Sequence, residues 1–304
     1  MNKVGPAIPV GVRLPLAHEH LTPADFLAIC RAGLEMGYSS FWVADHVLLP
    51  DASNSVYPHT ENGKVPFDAH SPWLDPLLIL TWLSAQLPQA RFGTSVLIMT
   101  LRNPTLLAKQ LASMSWLTRA PFSLGVGTGW LRDEYDIIGV PFEKRATRAK
   151  AEIAEIKELI TKAGRAYTVR GDDDQPVEKY FIMNPPAPAP VEFLWGGFSP
   201  VALRLVASSC DGWLPAKQSL EALETQLLAL KQACADVQRD FSSLRLVAKP
   251  GAGPDPKLGR VDKDNLAQYA ELGFHEVIVE LPLKPDNASV AVNTLERVAK
   301  RSWL

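Results

Sequence analysis

Eight short apolar runs, separated by longer amphipathic stretches, constrain this chain more than any other feature. The runs are Val10–Leu14, Phe41–Ala44, Phe92–Met99, Ser123–Val126, Val191–Trp195, Gly212–Leu214, Leu244–Ala248 and Val277–Leu281. Each is almost continuously hydrophobic, as expected of a strand buried on both faces of a parallel sheet. Parallel neighbours need a crossover between them, usually a helix. The intervening segments read as those helices. Four of them open on a cap residue followed by proline: Thr22-Pro23, Asp75-Pro76, Asn103-Pro104 and Ser199-Pro200. The cap oxygen accepts a hydrogen bond from an orphan amide, and proline suits the first helical position because it has no N–H to satisfy. After Phe142, the residues Ile153, Ile156, Leu159 and Ile160 form one apolar face on an otherwise charged segment. Strand–helix alternation eight times over predicts an α/β fold closed into a (β/α)8 TIM barrel, with an open doubly wound sheet as the alternative.

The 304 residues suit one such domain, 1–304, carrying loop insertions. With 47% hydrophobic and 21% charged residues, a large core can form. A formal net charge of −2 gives no general attraction to nucleic acid or to an anionic membrane. No apolar run is long enough to span a bilayer. The opening Met1-Asn2-Lys3-Val4-Gly5-Pro6 does not read as a signal peptide, because prolines and then Arg13 interrupt its apolar stretch. Cys30, Cys210 and Cys234 are odd in number and form no C-x-x-C pair, so they read as reduced thiols of a cytoplasmic protein.

Two stretches exceed the minimal repeat. Leu48–Trp73 directly follows the second strand, which places it at the catalytic mouth, and its Tyr57, Phe67 and Trp73 suit an apolar or aromatic lid. Arg165–Pro190 precedes the fifth strand and reads as an excursion from the barrel.

In a barrel of this kind the active site lies at the C-terminal ends of the strands. Behind the first strand stand His18-Glu19-His20, a pattern with which metal-dependent barrel hydrolases begin their metal site. Such a site needs further ligands after the fifth, sixth and eighth strands. Here those strands lead into Gly-Gly, Leu214-Pro215 and Glu280-Leu281-Pro282. A metal hydrolase using His18 and His20 is therefore the alternative function, and the preferred reading assigns no metal. The glycines offer more. Gly196-Gly197-Phe198-Ser199-Pro200 puts free amides and a hydroxyl at a helix start, a place that favours an anion. Gly125, Gly127 and Gly129 remove side chains where the fourth strand ends, so a flat ligand could approach the backbone; a tight βα turn would need the same glycines. His46 follows Asp45 at the end of the second strand. It suits either proton transfer near neutral pH or a structural hydrogen bond to Asp45.

Several segments, in order along nearly the whole chain, resemble the luciferase-like monooxygenase superfamily. They are Phe41-Trp42-Val43-Ala44-Asp45-His46; Gly93-Thr94-Ser95-Val96-Leu97 followed by Arg102-Asn103-Pro104; Leu124 to Glu134 followed by Gly139-Val140-Pro141-Phe142; Trp195-Gly196-Gly197-Phe198-Ser199-Pro200; and Asp211-Gly212-Trp213. The likeness is greatest to its F420-dependent oxidoreductase branch. It implies an oxidoreductase, in some members a monooxygenase, with FMN or coenzyme F420 in the barrel mouth. The choice between the two cofactors stays open. It implies His46 and Asp45 as catalytic residues, and Ser95, Val96, Gly127, Thr128, Gly129, Gly196, Gly197, Phe198 and Ser199 as cofactor-binding residues. A non-prolyl cis peptide at Ser95–Val96 is implied as well. So are a small organic substrate, a homodimer and, for an FMN enzyme, a separate flavin reductase. Lys144, Arg145 and Arg148 could meet the acidic tail of F420 or simply form a solvated helix face. The chain departs from the family's pattern at Phe198, where asparagine is frequent. It departs again at Thr118-Arg119-Ala120-Pro121, where a glycine-rich turn is frequent.

Overall fold

Each of the eight apolar runs forms a strand of one closed parallel barrel. The computed structural model of the chain describes residues 8–16, 20–51, 55–57, 63–65, 69–162, 164–171, 174–216, 218–250, 261–281 and 285–304. The barrel strands are β1 (Val10–Arg13), β2 (Ser40–Val43), β3 (Arg91–Ile98), β4 (Phe122–Gly127), β7 (Val191–Trp195), β8 (Gly212–Trp213), β9 (Arg245–Ala248) and β10 (Glu276–Glu280). Between β4 and β7 lie β5 (Gly164–Arg170) and β6 (Pro176–Ile182), an antiparallel pair outside the barrel. The ring runs β1-β10-β9-β8-β7-β4-β3-β2, and β1 closes it by pairing with both β10 and β2. The helices are α1 (Pro23–Glu35), α2 (Pro76–Gln86), α3 (Pro104–Thr118), α4 (Arg132–Ile138), α5 (Arg145–Lys162), α6 (Pro200–Ser209), α7 (Leu220–Asp236), α8 (Lys263–Glu271) and α9 (Ala288–Ser302).

The expected caps are made. Thr22 and Asp25 form a reciprocal capping box, and Asp75, Asn103 and Ser199 accept from the first amides of α2, α3 and α6. Helix α5 buries Ile153, Ile156, Leu159 and Ile160, as its periodicity predicts. At the end of α3, Arg119 takes the left-handed conformation (φ 55°) that a glycine would adopt more easily, and its guanidinium lies 4.9 Å over the Trp116 ring.

Alternation along the strands divides the core in two. Phe41, Val43, Phe193, Val277 and Val279 pack in the large layer shared with the helices. Trp42, Leu194, Leu214, Val247 and Ile278 form a separate cluster with Val96 packed against it, which fills the barrel. Below that cluster, the first or second residues of six strands make a polar floor. Arg245 pairs with Glu192 and Glu276 and donates to Ser123 Oγ (2.8 Å). Ser40 also donates to Glu276, as does Trp42 Nε1 at 3.0 Å, while Arg91 reaches Glu192 at 3.3 Å. The floor closes the end opposite the mouth, so ligands have access from the C-terminal ends of the strands.

The excursion before the fifth barrel strand contains the β5–β6 hairpin, which the sequence pattern did not predict. Its β6 strand is exposed along its whole length, so it lacks the apolar run that marks the barrel strands. The three cysteines are free thiols and buried. Among the described residues, no helix is long and apolar enough to cross a membrane.

Candidate active site at the barrel mouth

His46 leaves the end of β2 and is buried at the mouth. Its Nδ1 lies 3.1 Å from Oε2 of Glu134, which is 1% exposed in the first part of α4. The other oxygen of Glu134 accepts from the backbone amide of Val47 at 2.7 Å. One carboxylate thus fixes both the imidazole and the chain that carries it. Aromatic rings enclose the pair: Trp73 and Trp130 meet His46 edge to face, with centroids 5.1 and 6.0 Å away. Tyr57, from the loop after β2, packs on Trp130 at 5.1 Å. Glu134 stands in the fourth-strand segment, yet the sequence assigned it no role, since nothing local tells that α4 turns back over β2.

Asp45 sits elsewhere. Its carboxylate binds Arg102 through both oxygens (2.5 and 3.0 Å) and accepts from the Ile98 amide at 2.8 Å. Arg102 in turn reaches Asp75, the cap of α2. The carboxylate at His46 Nδ1 is that of Glu134, not that of its sequence neighbour.

The Ser95–Val96 peptide is cis, in line with the resemblance. The register between β3 and β4 breaks there, between Thr94 and Leu97, and Val96 turns into the barrel. Three glycines make room for this irregular segment. A Cβ on Gly125 would land on the Thr94 carbonyl, and one on Gly127 or Gly196 would stand 3.0 or 2.9 Å from a Val96 methyl. Gly127 belongs to β4 itself, so its first duty is to the neighbouring strand rather than to a turn. Gly129 takes a positive φ of 62°, and the Thr128 carbonyl accepts from Tyr135 Oη at 2.6 Å.

At the end of β7, Gly196 donates to Val126 O at 2.9 Å, and the Gly197 carbonyl accepts from Trp213 Nε1 at 2.8 Å. A Cβ on Gly197 would press on Trp195 and Ala202, at 2.8 and 2.9 Å, so this glycine also serves packing. Phe198 is exposed, and Ser199 Oγ accepts from Ala202 N at 3.3 Å as the cap of α6. Replacing Ser199 with alanine is accordingly expected to lower the free energy of unfolding by about 1 kcal/mol, measured by denaturant titration. An unchanged midpoint would show that the cap contributes nothing.

Of the basic residues beyond β4, Lys144 is exposed, while Arg145 and Arg148 are drawn into local contacts. Arg145 lies 3.6 Å over the Phe142 ring and donates to the carbonyls of Gly129 and Phe142. Arg148 donates to the Glu143 carbonyl at 2.8 Å. Burial lowers the pKa of Arg145 from its ordinary value. On the strand next to β2 and the one beyond it, at the ends of β1 and β10, Arg13 and Glu280 form a 2.5 Å ion pair. Described residues of the loop after β2 and of the turn after β4 border a cavity of about 400 Å³, lined by Leu49, Asp51, Ser55, Lys64, Val65 and Trp130 among others. Phe67, the other aromatic expected in the lid, lies outside the described residues.

The pattern of the family described as luciferase-like monooxygenase matches residues 3–252. The chain belongs to that family. This luciferase-like protein is 31% identical over 208 residues to an uncharacterised protein of Mycobacterium tuberculosis, an alignment covering 68% of this chain and 70% of the relative. It is 30% identical over 203 residues to an F420-dependent glucose-6-phosphate dehydrogenase of Amycolatopsis mediterranei, covering 64% of this chain and 54% of that one. Among solved structures, an F420-dependent secondary alcohol dehydrogenase in complex with an F420–acetone adduct superposes with a TM-score of 0.70 at 13% identity, covering 96% and 98% of the two chains. The chain is thus an enzyme of the luciferase-like monooxygenase family, and the dehydrogenase of Amycolatopsis mediterranei and the solved alcohol dehydrogenase it resembles are both described as F420-dependent. None of these comparisons supports a metal hydrolase. Of its two histidines, His18 lies outside the described residues and His20 is exposed. Among the described residues, no three His, Cys, Asp or Glu side chains gather as a metal site.

Proposed function

We propose that this protein is an F420-dependent oxidoreductase in which His46, oriented by Glu134, handles the substrate proton. The observation that carries this reading is the buried His46–Glu134 pair at the mouth of a barrel of this family. The choice of F420 over FMN rests on the 30% identical relative, whose name specifies F420.

The residues fit such a cofactor. Ser95 Oγ, beside the cis peptide, and Trp195 Nε1, at the end of β7, are buried polar atoms without a hydrogen-bond partner in the structure. A buried polar group left in that state costs about 1–3 kcal/mol, which a ligand hydrogen bond would recover. In this reading Ser95 and Val96 support the ring, Gly127, Thr128 and Gly129 flank it, and Gly196, Gly197, Phe198 and Ser199 face its phosphate with the N-terminal end of α6. A bound deazaflavin supplies hydride chemistry; the protein supplies position and proton traffic. Glu134 accepts the hydrogen on His46 Nδ1, which makes Nε2 the nitrogen that takes up or releases a proton. Trp73 and Trp130 screen that nitrogen's surroundings from water. Asp45 acts through Arg102, holding the ends of β2 and β3 in register, and is a positioning residue rather than a proton carrier.

A homodimer belongs to the same proposal, supported by Leu78 and Trp82, exposed one turn apart on α2. Cytoplasmic residence is supported by the three free thiols. A separate flavin reductase is required only by the FMN reading. Equilibrium titration with F420 and with FMN, each oxidised and reduced, tests the assignment. F420 is expected to bind at least about tenfold more tightly, equivalent to about 1.4 kcal/mol. Tighter FMN binding, or binding of neither, would overturn it.

A further inference from the structure

The ion pair of Arg13 and Glu280 occupies a place that the proton-transfer reading leaves unused. Val10 and Val12 of β1 pack in the layer shared with the helices, as do Val277 and Val279 of β10. Alternation therefore turns Arg13 and Glu280 to the inside of the barrel. On β10 that inner face carries Glu276 of the floor, then Ile278 of the apolar cluster that fills the barrel, then Glu280. Arg13 is the register partner of Glu280, so the ion pair caps the apolar cluster at its mouth end. In the eight-membered ring β1 lies four places from β7, and β10 four places from β4. The pair thus stands across the mouth from the glycines at the ends of β4 and β7, with His46 on the strand next to β1.

Stability does not account for charges at this level. The layer beneath is hydrocarbon and indole, and a buried ion pair is often no more stabilising than apolar side chains of similar volume. What the pair does provide is hydrogen-bonding capacity. A guanidinium carries five N–H donors, and the hydrogen bond to Glu280 uses Nη1 alone. Among the described residues the other nitrogens of Arg13 have no hydrogen-bond partner, yet none of them is a buried orphan, so they remain within reach of the solvent at the mouth. Glu280 meanwhile fixes the direction of the guanidinium. Tyr57 stands close enough to feel both charges, and burial raises the pKa of its phenol, which keeps that hydroxyl protonated beside the pair.

We propose that Arg13, held in place by Glu280, binds an oxygen acceptor of the substrate: a carbonyl or a carboxylate set apart from the reacting centre. The contact anchors the substrate on the β1–β10 side of the mouth, facing the glycines of β4 and β7, with His46 at its flank. The inference rests on the oxidoreductase reading for the word substrate, but the contact it asserts does not depend on the cofactor. The test is a fluorine NMR titration of the protein, with and without F420, using 4-fluorobenzamide, 4-fluorobenzoate and 4-fluorotoluene, which differ only in the group opposite fluorine. At least one oxygen-bearing probe is expected to bind roughly tenfold or more tightly than 4-fluorotoluene, the usual worth of a hydrogen bond to a charged group. Which of the two it is tells a neutral carbonyl from a carboxylate. Arg13→Met keeps an unbranched side chain without donors and is expected to abolish the preference, whereas a merely structural effect would weaken all three probes alike. Because Arg13→Met leaves Glu280 without this partner, the double variant Arg13→Met with Glu280→Gln is measured beside it and should lose the preference too. A preference that survives in the double variant, or no preference in the natural protein, would overturn the assignment. If F420 fails to bind while the Arg13-dependent preference stands, the oxidoreductase reading falls and the contact remains. If F420 binds and the preference is absent, the contact falls and the oxidoreductase reading remains.

Discussion

His46→Ala is expected to lower turnover by about 10²–10⁴-fold, the usual worth of a positioned proton donor or acceptor. Cofactor affinity should remain nearly intact, because the groups assigned to the cofactor lie on β3 and at and beyond the ends of β4 and β7, whereas His46 follows β2. A structural role for His46 makes the opposite forecast: a lower melting temperature with little specific loss of rate. Glu134→Gln separates orientation from proton transfer. It retains the shape of the side chain but replaces the carboxylate acceptor by an amide, so turnover should fall by less than in His46→Ala, and the two losses should not add when the variants are combined. Turnover, cofactor affinity and thermal midpoint measured on the same three variants decide the matter. Turnover within a few-fold of the natural enzyme, with the fold intact, would remove His46 from the mechanism.

The largest effect on stability is expected at the other end of the barrel. Arg245 is the common partner of Glu192 and Glu276, and the Glu276 side chain is only 2% exposed. Glu192 and Arg245 are partly buried beside it; removing Arg245 leaves the buried Glu276 charged and unpaired, and loss of a buried partner typically costs about 3–5 kcal/mol. Arg245→Ala should therefore unfold at markedly lower denaturant concentration, with the slope of the transition unchanged. Replacing the cluster together, as Glu192→Gln, Arg245→Met and Glu276→Gln, should recover part of the loss, because the one charge then left without its partner is Arg91, which is half exposed to water. A loss of less than about 1 kcal/mol in Arg245→Ala, of the size seen for exposed pairs, would show that the floor is solvated.

The eight barrel strands and the capped starts of α1, α2, α3 and α6 were legible in the sequence because each depends on residues adjacent in the chain. A continuous apolar run reports burial on both faces, and a cap residue before proline reports an orphan amide within three positions. The hairpin β5–β6 escaped for the same reason: exposed on both sides along β6, it carries no burial pattern to read. Position at the mouth was legible too, since the barrel sends every strand's C-terminal end to one face. What the sequence could not determine was which side chains meet there. His46 and Glu134 are 88 residues apart and meet through the packing of α4 beside β2, while Arg13 and Glu280 are 267 apart and meet only when the ring closes between β1 and β10. The pairing of β2 with β3 likewise gives Asp45 partners that its place beside His46 does not reveal. Successive residues at a strand end point in different directions, and the next strand offers Asp45 the guanidinium of Arg102. Gly125, Gly127 and Gly196 looked like a bed for a ligand, and the tertiary structure shows that they first accommodate β3 at Thr94 and Val96. A missing side chain leaves space, and only the packed barrel decides what fills it.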